Sequence, residues 1–237
     1  MYNLENHLAF NGLKNLKIIS TIINALFQEN NFSYYHFNKL INEAAIDLAK
    51  ELYPNNCLVY SNKNFISKED FENKIKGDLF EIFVMFFLQY FEKVPNIIGI
   101  KEGTYYQVDD SEDAGMDFYG IKYASGNNER VFGQIKYRNP NIVLKPEQMA
   151  FTRDTVNKCI GNATIKKRFN LEKDLILLVT NRSLEDSLHY RIKDEIGFVG
   201  NSADFDHSYI KFIDATIFQN ILGYNEATFW NEFKAQF

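Results

Sequence analysis

132-FGQIKYR-138 places Gln134 and Lys136 two residues apart, and 113-DAGMD-117 ends fifteen residues before it begins. On a strand, residues two apart leave the same face and the residue between them leaves the other. Gln134 and Lys136 therefore share a face, and Ile135 points into a core. The stretches 117-DFYGIKYA-124 and 130-RVFGQIKYR-138 both read as strands, joined by the turn 125-SGNNE-129, in which Asn127 and Asn128 suit a tight hairpin. Such a hairpin brings Asp117, at the start of its first strand, beside Gln134 on its second.

Working outward from this pair, the C-terminal side reads as a helix over about 146–160, a short basic helix near 163–169, and the apolar β-rich run 174-DLILLVTN-181. An apolar run of that length is expected to be a central strand buried on both faces. A helix over 187–197, a strand within 209-YIKFIDATIF-218 leading into a short helix, and a terminal helix over 226–237 complete the chain. On the N-terminal side, 97–108 reads as a strand. The run 71-FENKIKGDLFEIFVMFFLQYF-91 reads as a helix opened by a capping-box pair, Ser67 and Asp70. Residues 13–28 and 37–53 carry helix-spaced apolar positions, and Pro54-Asn55-Asn56 ends the second of these helices. The expected class is α/β, with a mixed central sheet flanked by helices in the order αβββαβ. Residues 1–62 form a helical N-terminal extension, and 63–237 form the main domain.

A chain of 237 residues with 46% hydrophobic residues has ample material for one large core, and 22 phenylalanines make that core Phe-rich. Cys57 and Cys159 have no metal-type spacing and make no disulfide framework, so a reducing cytoplasm is expected. The N-terminal stretch MYNLENHLAF lacks the basic and apolar blocks of a secretory signal. The most apolar run, 79-LFEIFVMFFL-88, is about half a membrane span and contains Glu81, so a buried helix is expected and no membrane association. Four scattered histidines give no support to a His-based zinc site. The net charge is −5, yet residues 130–173 hold ten Lys and Arg against three acids. That basic block directly follows the strand pair, where a phosphate backbone would need neutralising. A solvated helix face is the plain alternative.

Asp117, Gln134 and the Ile135 backbone carbonyl form an oxygen-rich cup of the kind a hard cation such as Mg2+ prefers, with the Lys136 ammonium at its rim. Glu81 stands among Leu79, Phe80, Ile82, Phe83 and Val84, where a carboxylate is costly unless paired or metal-bound. Either it pairs with Lys74 or Lys76, or it completes the cup. A cation so placed, beside an ammonium able to polarise water and stabilise a pentacoordinate phosphate, is the equipment of phosphodiester hydrolysis.

The segments 77-GDLFE-81, 113-DAGMD-117 and 134-QIK-136, followed by Arg138, resemble the PD-(D/E)XK nuclease superfamily, and within it the Mrr-type restriction endonucleases. The resemblance covers about residues 70–182. It implies a restriction-endonuclease-like core. Asp117 and Gln134 are then metal ligands with Glu81 as the helix-borne acid, Lys136 is the catalytic lysine, and Mg2+ is the cofactor, with Mn2+ as a substitute. Gln134 stands where the superfamily usually has an acid, a Mrr-type trait that leaves the site one negative charge poorer. Gln148, on the following helix, is a further polar candidate. The expected partner is double-stranded DNA, contacted by Arg138, Lys145, Arg153, Lys158, Lys166, Lys167 and Arg168.

The chain has no phosphate loop and no room for a helicase motor. It therefore acts alone, as a homodimer, with a separate helicase or recognition subunit, or as the front of something longer. The expected function is DNA cleavage in restriction or antiviral defence. The alternatives are a Holliday-junction resolvase or repair nuclease, and an inactive nucleic-acid-binding protein on the same fold.

Overall fold

The computed structural model describes residues 33–57, 65–90, 103–107, 116–124, 127–145, 149–167, 169–170, 173–183 and 210–236. The expected helices over 13–28 and 187–197, Gln148, Arg168 and most of 109-DDSEDAGMD-117 lie outside them. The chain groups into two compact units, residues 1–90 with 218–237, and residues 91–217. In this grouping the helix that begins at residue 68 packs with the helices over 34–52 and 226–234.

In the helical unit, α1 spans Tyr34–Leu52. Ser33 caps it, its hydroxyl accepting from His36 N–H at 3.3 Å. The Glu226 carboxylate accepts from the Tyr34 N–H in the first turn, where the helix dipole favours an anion. Phe37, Ile41, Ala45, Leu48, Ala49 and Leu52 form the buried stripe. The helix ends at Tyr53, held extended because Pro54 follows.

The next helix, α2, spans Lys68–Tyr90. Its start shows one half of the expected capping box: Asp70 N–H donates to Ser67 Oγ at 3.1 Å, while the Asp70 carboxylate accepts from the Ser67 hydroxyl at 2.8 Å in place of the backbone N–H. From Leu79 to Leu88 every residue except Glu81 is buried. Such a stretch has no wet face, and Phe83 shows why: its ring lies within 4.8 Å of Phe37, 5.1 Å of Phe218 and 5.5 Å of Trp230, centroid to centroid. Among the described residues no helix is long and apolar enough to cross a membrane.

The other unit is built on a five-stranded mixed sheet, β1 (Gly103–Gln107), β2 (Phe118–Ala124), β3 (Asn127–Lys136), β4 (Leu175–Thr180) and β5 (Ile210–Ile213), in that spatial order. The first three strands run antiparallel; β3, β4 and β5 are parallel. Parallel neighbours need a crossover, and α3 (Arg153–Lys167) lies between β3 and β4 in the chain. Its Val156, Cys159 and Ala163 pack against Phe132 of β3, Ile176 and Leu178 of β4, and Ile210 and Phe212 of β5. Five of the six β4 residues are buried, as expected of its apolar run. Asp174, just before β4, accepts from Arg130 backbone N–H at 3.2 Å and from its guanidinium at 2.6 Å, joining the starts of the two strands. Two further helices, α4 (Ala215–Leu222) and α5 (Glu226–Lys234), follow β5.

Two local expectations are corrected. Asn127 and Asn128 belong to β3, paired with Ala124 and Tyr123, and do not form the turn. The helix expected over 146–160 and the short one near 163–169 are a single helix that starts later. Thr152 sets that start, its hydroxyl accepting from Thr155 N–H at 3.3 Å and its carbonyl from Val156 N–H at 3.1 Å. Gly161-Asn162 does not interrupt the helix, within which the Asn162 amide donates to the Lys158 carbonyl at 2.8 Å.

Candidate active site at the β2–β3 pair

Asp117 sits one residue before β2. Its N–H donates to the Gly133 carbonyl at 2.8 Å, and its Oδ2 accepts from the Ile135 N–H. Backbone and side chain are thus both tied to β3, which fixes the carboxylate across from Gln134. Close approach of the two strands depends on Gly133. It pairs with Phe118, and an added Cβ there would come within 1.9 Å of the Phe118 ring.

Gln134 is 3% exposed, and its Oε1 has no hydrogen-bond partner among the described residues. A buried amide oxygen without a partner costs on the order of 1–3 kcal/mol, and such an atom calls for an explanation. A cation or an ordered water next to Asp117 would supply one. Lys136, two residues on, is half-buried at the end of β3.

Cys159 of α3 is fully buried and senses both charged groups. Burial is the main cause that pushes its thiol up to about 12; the Asp117 carboxylate adds to the rise and the Lys136 ammonium opposes it. Asp117, Lys136 and Cys159 therefore share one electrostatic neighbourhood on the α3 side of the sheet.

The strand that carries Lys136 is anchored beyond its end. Asn181, wholly buried just after β4, accepts from Arg138 N–H at 2.7 Å and donates to the Arg138 carbonyl at 2.8 Å, as a paired strand would. In the sequence Asn181 is visible only as the end of an apolar run. The polar residue closing 174-DLILLVTN-181 was the available signal, but its partner lies 43 positions away. Cys159 likewise shows in the sequence only a lack of metal-type spacing.

The donor set that the sheet unit assembles is one carboxylate, Asp117, and one neutral amide, Gln134. Among the described residues no three His, Cys, Asp or Glu side chains gather as a metal cluster. These oxygen donors suit a hard cation and not a soft one. Glu81 belongs to the helical unit and is half-buried. The deeply buried acid of α2 is Asp78, 1% exposed and bonded to Lys74 at 2.5 Å, while Lys76 lies 3.8 Å from Glu72.

Of the basic residues, Lys145 and Lys158 are exposed, and Arg153, Lys166 and Lys167 are positions on α3. Arg138 is half-buried: its guanidinium donates to the Tyr137 carbonyl at 3.0 Å and the Met149 carbonyl at 3.5 Å, and burial lowers its pKa. Its first task is to hold the chain that follows β3.

No family model matches this chain, and no curated protein matches it. Among solved structures, the MspJI restriction endonuclease in complex with a 27-mer oligonucleotide is similar at a TM-score of 0.40 and 15% identity. That similarity covers 88% of this chain and 38% of the other.

Proposed function

We propose that this chain is a metal-dependent endonuclease of the PD-(D/E)XK type, Mrr-like in its Gln134, that hydrolyses phosphodiester bonds of double-stranded DNA in restriction or antiviral defence. One observation carries the reading. Asp117 is tied to β3 by its own N–H and, through its carboxylate, by the Ile135 N–H; across from it lies a buried amide oxygen with no partner among the described residues, and an ammonium stands two residues along the same strand face.

Asp117 and Gln134, with the Ile135 carbonyl, would hold Mg2+ or Mn2+. The bound cation supplies charge stabilisation at phosphorus and acidifies water. The residues of the chain supply the rest. The Ile135 N–H holds one carboxylate oxygen of Asp117 and so orients the other. The Lys136 ammonium orients the attacking water and balances charge developing on the phosphate oxygens. The Asn181 clamp keeps the end of β3, and hence Lys136, in place. Lys145 and Lys158 lie in the basic block that would neutralise flanking phosphates. Glu81 lies in the helical unit, and the resemblance alone assigns it the role of helix-borne acid, which its own variant tests.

The test is cleavage of supercoiled plasmid by the full chain with Mg2+ or Mn2+. Lys136→Ala should slow cutting by about 10²–10³-fold, the loss typical of removing one group that stabilises transition-state charge. Asp117→Ala and Glu81→Gln should also lose cutting while keeping the wild-type circular dichroism spectrum. A wild-type chain that leaves plasmid intact with both metals, or a Lys136→Ala chain that cuts normally, refutes the nuclease reading.

A further inference from the structure

The segment that leaves β3 beyond Lys136, 139-NPNIVLK-145, presents apolar side chains to water. Val143 is 95% exposed and Ile142 is 45% exposed. A single exposed aliphatic residue needs no explanation, but two adjacent ones on a braced loop do. The bracing is specific. Arg182, just past β4, donates from one guanidinium nitrogen to the Asn139 carbonyl at 2.9 Å and the Ile142 carbonyl at 2.6 Å. The Asn139 side chain accepts from Asn141 N–H at 2.9 Å, and Asn181 pairs with Arg138 immediately before the loop. The backbone under the two apolar residues is therefore held by residues at the end of the adjacent strand. Lys145 follows them and is exposed, and the loop lies in the most basic stretch of the chain.

We propose that Ile142 and Val143 form an apolar wedge that seats against the bases of a nucleic-acid duplex while the neighbouring basic residues hold its phosphates. The inference rests on the proposed reading of DNA as substrate. It adds that contact is made to the bases as well as to the backbone, and that the duplex is bent where the wedge enters. Charge selects this occupant. The phosphates of a duplex satisfy the exposed Lys145 beside the two residues, and an opened base step offers apolar base faces, which the aliphatic wedges of minor-groove binders use.

The experiment uses the full chain in a Lys136→Ala background, so that substrate survives, and a random-sequence duplex labelled at both ends. Binding is titrated over a range of salt, with end-to-end energy transfer read on the bound duplex. The double variant Ile142→Ser/Val143→Ser should bind roughly tenfold more weakly, the scale of losing partial burial of two aliphatic side chains. Its salt slope should be unchanged, because that slope counts phosphate contacts, and the bend should disappear. Lys145→Ala should instead flatten the slope by about 0.9.

Unchanged affinity and bend in the serine variant would overturn the proposal, as would absence of duplex binding by the parent chain. A serine variant that keeps its DNA affinity but loses self-association by light scattering would assign the apolar tip to a second copy of the chain, and would also overturn it. The outcome is separable from the nuclease reading: a wild-type chain that never cuts, yet shows the wedge-dependent bend, defeats that reading and leaves this one standing.

Discussion

Replacing Gly133 with alanine probes the fold and the site together. An ideal Cβ at this position would lie 1.9 Å from Phe118 Cζ, 2.0 Å from Cε1 and 2.6 Å from Cε2. Carbon atoms rest at about 3.5–4.0 Å, so the ring must withdraw by about 1.5–2 Å. Phe118 is fully buried and sits directly opposite Gly133 in the β2–β3 register, so neither ring nor strand has room to give. Overpacking of this kind costs about 1–3 kcal/mol, and the upper end is expected here because both partners belong to hydrogen-bonded strands. That is a large share of a total stability of about 5–15 kcal/mol.

The strain also reaches the site, since Asp117 is the neighbour of Phe118 and its N–H is bonded to the Gly133 carbonyl. Urea denaturation followed by circular dichroism measures the loss, and a double-mutant cycle assigns it. Phe118→Ala alone should cost about 3–5 kcal/mol. In the Phe118→Ala background the Gly133→Ala change should cost almost nothing, giving a coupling of about 2–3 kcal/mol. A Gly133→Ala chain within about 0.5 kcal/mol of wild type, or a cycle that is additive, would show that the ring does not occupy the space above Gly133.

Asn181→Ala should remove about 2 kcal/mol, because it strands the Arg138 N–H and carbonyl. Hydrogen exchange at residues 137–142 should accelerate, and unchanged protection there would count against the clamp. Cys159→Ala should alter stability in alkali. The thiol of the folded chain titrates near 12 against an ordinary 9.0, so its contribution is intact below pH 9 and is lost as pH rises towards 12. The loss is at most about 1.4 kcal/mol per pH unit in that window. Urea midpoints at pH 8, 9 and 10 should fall less steeply in Cys159→Ala than in wild type, and parallel curves would contradict a buried, protonated thiol beside Asp117.

Local signals were legible in the sequence because they act over a few residues. Alternation put Gln134 and Lys136 on one strand face, the Ser67–Asp70 pair opened α2, and the unbroken apolar run of β4 announced an interior strand. The α/β class and the mixed sheet follow from the order of such segments. The start of α3 carries a local signal too: Thr152 caps the helix and is the first Ser or Thr after Lys136.

Pairing over distance belonged to the tertiary structure alone. No pattern in 174-DLILLVTN-181 reveals that Asn181 completes the edge of β3 at Arg138, since the two are 43 residues apart. The same holds for the Gln134 Oε1, without a partner among the described residues, for Cys159 lying in the field of Asp117 and Lys136, and for Asp78 being the deeply buried acid of α2. Burial and the partner of a polar group depend on what the rest of the chain brings against them, whereas strand alternation and helix caps are set by neighbours along the backbone.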